Sequence, residues 1–190
     1  MMKYIIAVCC LLFIYASVGP QSFPTGNFYS DASAGTVAWN IPSRGSTSNN
    51  SYTTASLTIG NSSEYLCAVG ADFSSVSGTV NGIVVEIEKK SNGVNSIKDN
   101  IVRLIIGGVI SGENKASASY WGTSDAYTTY GSATDTWQLS LTVADVQDAN
   151  FGIAMQCFTD YLDGAIASVD HYRMTVYYTT ASGAKRYVVQ

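Results

Sequence analysis

The feature that constrains this chain most is the alternation from Val80 to Lys89, VNGIVVEIEK. Ile83, Val85 and Ile87 fall on one side of it, Glu86 and Glu88 on the other. Successive side chains of a strand point to opposite faces, so a period of two predicts a strand with one dry and one wet face. Three more segments repeat the pattern. Asn100 to Ile106 aligns Val102, Leu104 and Ile106, with Arg103 outward. Phe151 to Phe158 aligns Phe151, Ile153, Met155 and Cys157. Ile166 to Tyr178 aligns Tyr172, Met174, Val176 and Tyr178, with His171, Arg173 and Thr175 outward. Weaker strand patterns cover Thr36–Asn40, Tyr52–Ile59, Glu64–Phe73 and Ala126–Tyr130. Clusters of Gly, Asn, Ser and Asp punctuate them, as in Ser91 to Asn95. The tail after Gly183 (AKRYVVQ) supplies a further hairpin arm, so eight to nine strands are expected in an all-β sandwich. One helical turn interrupts the series. Thr142 and Asp145 form a capping arrangement, the turn runs to Ala149, and Asn150 suits a left-handed stop.

Composition narrows the function classes. At 190 residues the chain is long enough for one domain with its own core. A net charge of −4 argues against a nucleic-acid binder, whose affinity rests on Lys and Arg neutralising phosphates. The single histidine, His171, leaves little room for His-based metal or triad chemistry.

The N-terminus has the layout of an export signal. Lys3 is followed by an uncharged apolar run from Tyr4 to Val18, then small residues before Pro20. The expected organisation is a cleaved signal peptide over 1–19, a polar N-terminal arm over 20–38 and a β-sandwich domain over 39–190. Cleavage is placed between Gly19 and Ser22. Cys9 and Cys10 leave with the leader, and Cys67 and Cys157 remain. Outside the cell these two are free to form an inter-strand disulfide; the alternative is a pair of buried thiols acting as small hydrophobes.

An ordered set of segments carries a family resemblance: VNGIVVEIEKK, KDNIVRLIIGGVISGENKA, YWGTSDAYTTYGSATDTW, LTVADVQDANFGIAMQ and ASVDHYRMTVYYT. Over roughly Trp39 to Thr179 the chain resembles a jelly-roll module of phage virion and tail proteins and of secreted bacterial surface proteins. The resemblance implies a jelly-roll-like antiparallel β-sandwich with structural, adhesive or ligand-display roles and no shared catalytic residue. This chain departs from the pattern by carrying its own leader and little besides the module.

Candidate sites are few. Trp121, Tyr127, Tyr130 and Trp137 cluster among Gly, Ser, Thr and Asp, a composition that suits sugar stacking if the rings are exposed and core packing if they are not. No CxxC or HxxxH pattern is present, so no cofactor is expected; calcium alone is compatible, with Asp99, Asn100, Asp160 and Asp163 as loop ligands. A glycosidase would need Glu86 and Glu88 in a cleft. A triad would need His171 beside Asp170, yet adjacent strand residues point to opposite faces. Asp170 is therefore expected to face inward and fix a loop through backbone amides or a hydroxyl. The function expected first is a secreted, non-catalytic structural or interaction protein of an extracellular surface structure or filament, assembling by strand exchange. A carbohydrate-binding module is the alternative, and a glycoside hydrolase the least favoured. Partners are then other copies, surface-structure components or a glycan, with no nucleic acid and no membrane span after leader removal.

Overall fold

The computed structural model describes residues 13–181. Most of the expected leader and the arm expected after Gly183 lie outside the described residues. Ten strands occur among the described residues: β1 (Phe13–Ser22), β2 (Phe28–Asp31), β3 (Thr53–Leu57), β4 (Tyr65–Val69), β5 (Thr79–Ser91), β6 (Lys98–Ile106), β7 (Val109–Ser111), β8 (Ala126–Gly131), β9 (Gly152–Phe158) and β10 (Ala165–Ala181). The expected count of eight to nine is thus corrected to ten. β1 lies in the apolar run that reads as a leader, and β2 and β7 are too short to show a period. Thr36–Asn40 is not a strand. It makes only isolated bridges, Val37 to Ser63 and Asn40 to Thr54, while Trp39 turns into the core and its Nε1 donates to the Glu64 carbonyl at 2.9 Å.

The strands form two antiparallel sheets of five. The first runs β1-β10-β5-β8. β3 shares with β1 the edge of β10 opposite β5, pairing with Ala165–Val169 where β1 pairs with Arg173–Ala181. The second runs β2-β4-β9-β6-β7. From β3 to β10 each strand crosses to the other sheet, except at the β6–β7 hairpin.

The core sits where the period of two placed it. Ile83, Val85 and Ile87 of the first sheet face Val102, Leu104, Ile153 and Met155 of the second, with Tyr172, Met174 and Val176 of β10 beside them. The stretch expected as a polar arm also contributes, because Phe23 and Phe28 are buried and β2 pairs with β4. β4 and β9 approach so closely that a Cβ on Gly152 would stand 1.9 Å from the Ala68 carbonyl oxygen. Helix α1 (Val143–Gln147) begins with the expected box. Thr142 Oγ1 accepts from the Asp145 amide, and the Asp145 carboxylate accepts from the Thr142 amide. Its end differs from expectation. The chain leaves through extended Asp148, and Asn150 does not adopt a left-handed conformation.

The disulfide is not formed. Cys67 and Cys157 are both free and buried. Cys67 pairs with Ala154, three residues from Cys157. An odd offset puts the two thiols on opposite faces of the sheet, about 10 Å apart along the strand. Cys157 joins the main core, whereas Cys67 packs with Ile105 and Ala154 on the outer face. Burial pushes both thiols up to about 12.

Candidate functional site

Three places combine unusual chemistry with defined geometry. The first is the outer face of the first sheet. The β10–β5 register slips between Val169 and His171, leaving Asp170 as the extra residue of a β-bulge. A bulge breaks the strict alternation of faces, and this corrects the expectation that Asp170 points away from the outer row. Its carboxylate lies within 4.8 Å of those of Glu88 and Asp125. Asp170 is 1% exposed and accepts three backbone amides, from Asn49 at 3.0 Å, Asn50 at 2.9 Å and Ser51 at 3.2 Å. The loop-fixing role expected from the sequence is therefore present. Asp125 accepts from the Tyr52 hydroxyl at 2.7 Å, while its buried Oδ1 and the buried Oε2 of Glu88 have no partner. A hard cation would find oxygen ligands here.

His171 stands beside this cluster. Its Nε2 is 2.8 Å from Ser22 Oγ of β1, and its Nδ1 is 2.8 Å from the Tyr127 hydroxyl. Arg173 grips Glu86 with two bonds of 2.9 and 2.8 Å and lies 4.1 Å over the Tyr127 ring. Glu86 is thereby held in an ion pair with Arg173, while Glu88 faces Asp170. Burial pushes His171 below its ordinary value of 6.5; Glu88, Asp170 and Glu86 oppose this and Arg173 reinforces it. The unfolded chain therefore binds this proton more readily than the folded one. Stability from this group is complete above the ordinary value and is lost as pH falls through it toward the lower folded value. Urea midpoints are expected to drop between about pH 7.5 and about pH 5.5, and His171→Gln to flatten that region of the profile.

The second place is a polar centre inside the sandwich. Lys89 continues the buried row of Ile83, Val85 and Ile87, and its side chain is 4% exposed. Its Nζ lies 2.5 Å from Asp99 Oδ1 and also donates to the Tyr130 hydroxyl. Asp99 Oδ1 accepts from Trp121 Nε1 at 2.7 Å. Its Oδ2 accepts from the Tyr130 hydroxyl at 2.8 Å and the Ser117 amide at 3.1 Å. The ammonium stands 4.4 Å over the Trp121 ring and 5.2 Å from the Tyr130 ring centre. Burial pushes Lys89 below its ordinary range, against the pull of Asp99, and pushes the Tyr130 hydroxyl up. A cavity of about 120 Å³ borders the pair, lined also by Ser119, Tyr120, Ser124 and Thr128.

The sequence candidates scatter over these surroundings. Trp121, Tyr130 and Trp137 are buried. Tyr127 is half-buried and overlain by Arg173, so the four rings form no open platform for a sugar. The proposed calcium ligands do not converge. Asp99 is saturated by the contacts above. The Asn100 side chain donates to Gln156 Oε1 at 2.5 Å. Asp160 pairs with Lys98 at 2.9 Å and with the Tyr120 hydroxyl at the surface. Asp163 belongs to the turn closed by the Gly164 amide on the Tyr161 carbonyl. Sequence reasoning missed Lys89, although a lysine in an apolar row signals a buried counter-charge. Nothing in the sequence links Asp125 and Tyr52 to Glu88.

The third place is the β1–β10 edge. β1 pairs from Phe13 opposite Ala181 to Ser22 opposite Arg173, with a register shift between Val18 and Gln21 at Gly19-Pro20. β10 is its one strand partner among the described residues.

No protein-family model matches the chain, and no curated protein matches it. Among solved structures it is similar to the enzymatically active domain of tailspike protein 4 of bacteriophage CBA120, at 11% identity and a TM-score of 0.33. The match covers 83% of this chain and 20% of the tailspike chain, so this chain spans one fifth of that length.

Proposed function

We propose that this chain is a secreted, non-catalytic jelly-roll subunit of an extracellular surface structure, joined to its neighbours by strand exchange at the β10 edge. The observation that carries this reading is the position of β1, a strand pairing with β10 alone at the rim of a sandwich that β3 to β10 already complete. The orders β3-β10-β5-β8 and β4-β9-β6-β7 support the jelly-roll assignment, since eight strands split four and four in this way form two Greek keys. β1 can leave without opening either sheet, and an edge so exposed accepts any strand of matching pattern.

The expected cleavage between Gly19 and Ser22 falls inside β1. Removal of 13–18 would strip partners from Val176 to Ala181 of β10, and the backbone there would take a strand from a neighbouring copy. No helix among the described residues is long and apolar enough to cross a membrane.

The test is the mature N-terminus together with light scattering and electron microscopy of the exported protein. Ordered oligomers are expected, and a synthetic peptide of residues 13–22 in excess should shorten them. A protein that stays monomeric at high concentration, with Phe13–Ser22 retained on its own β10, would overturn the reading.

A further inference from the structure

We propose that the side chains of Lys89 and Asp99 condense to an amide, tying β5 of one sheet to β6 of the other through the middle of the sandwich. Three features of the polar centre support this, independently of the assembly reading. First, nucleophile and electrophile are already together. Nζ lies 2.5 Å from Oδ1, with both side chains almost wholly shielded. Fixed proximity of this kind replaces a bimolecular encounter and is worth a large effective concentration. Second, the carboxyl group is polarised. Trp121 Nε1 donates to Oδ1, while the Ser117 amide and the Tyr130 hydroxyl donate to Oδ2. Third, Tyr130 bridges the two partners, accepting from Nζ and donating to Oδ2.

Atoms and electrons balance within the pair. A proton passes from the ammonium to Oδ2, giving an amine and a carboxylic acid. The amine lone pair forms the N–C bond at Cγ, and the negative charge gathers on Oδ1, where the indole N–H stabilises it. A second proton moves from nitrogen through the Tyr130 hydroxyl to Oδ2. The C–Oδ2 bond breaks, water leaves, and Oδ1 returns to a carbonyl. Nothing is oxidised or reduced. The adjoining cavity of about 120 Å³ has room to receive the water. Burial favours the neutral amine over the ammonium. Condensation also removes two charges from a low-dielectric interior, where each carries a desolvation cost.

Peptide mapping of the folded, exported protein decides the matter. Trypsin cannot cut after an acylated lysine, so the expected product is a branched peptide, residues 45–90 joined to residues 99–103 and lighter by one water. Intact mass should show the same loss relative to the chain's determined sequence. Asp99→Ala should retain its full mass, and Tyr130→Phe should form the bond roughly 100-fold more slowly, as loss of a proton relay predicts. Recovery of residues 99–103 as a free peptide from wild-type protein of full mass would overturn the proposal, whether or not the variants fold.

Discussion

Replacing Asp170 by alanine is expected to lower the unfolding free energy by roughly 3 kcal/mol, read from urea unfolding, and to open the loop around Asn49–Ser51 to proteolysis. The carboxylate is shielded from water and holds three successive backbone amides of that loop. Charge-assisted bonds are stronger than neutral ones, and truncation removes all three acceptors together. The total falls short of a sum of three because freed amides regain some water. Asp170→Asn keeps one carbonyl acceptor and should recover some of the loss. A stability change within about 0.5 kcal/mol for the alanine variant would show that the loop holds itself in place.

The second large effect is expected at Trp137. Its indole is fully buried, and Nε1 donates to the Ile83 carbonyl at 3.1 Å. The backbone takes φ +58° there, with the Asp135 carboxylate accepting the Trp137 amide at 2.8 Å. Gly131 makes room beneath it, since a Cβ at that position would come within 2.8 Å of Nε1. Trp137→Ala should cost about 3–5 kcal/mol through the cavity it leaves. Trp137→Phe keeps most of the volume and should cost about 1–3 kcal/mol, chiefly for the unpartnered Ile83 carbonyl. Urea unfolding followed by circular dichroism distinguishes the two. Equal losses would assign the stabilisation to the hydrogen bond rather than to packing.

Strands with a clean alternation and one dry face are legible from sequence. Val80–Lys89 forms the centre of β5, and the inward sets of β6, β9 and β10 hold in the core. Four-residue β2 and three-residue β7 are not legible, because a period needs several repeats to show. β1 is hidden for a different reason. The residues that suit an export signal, FIYASV, also suit a strand, and only a partner edge distinguishes the two. At the candidate site, the role of Asp170 is readable from the cost of burying a lone carboxylate. Its direction is not, since a bulge depends on the register of two distant segments. The Lys89–Asp99 pair has one legible half. Lysine breaks an apolar row, but its counter-ion stands in a stretch that also suits a calcium loop. The aromatic cluster shows the same limit: Tyr130 and Tyr127 lie three apart, one buried beneath the sheet and one above it.

The antiparallel match of Phe13 with Ala181 has a mechanical consequence. A pull applied at those two points would load neighbouring strands from the same end, so their hydrogen bonds would break in succession, as in a zipper, rather than all at once in shear. Such tension would spend itself on β1 before it reached the pairing of β10 with β5. A neighbour's strand seated on that same edge would instead be pulled along its own axis, with the whole ladder bearing the load together.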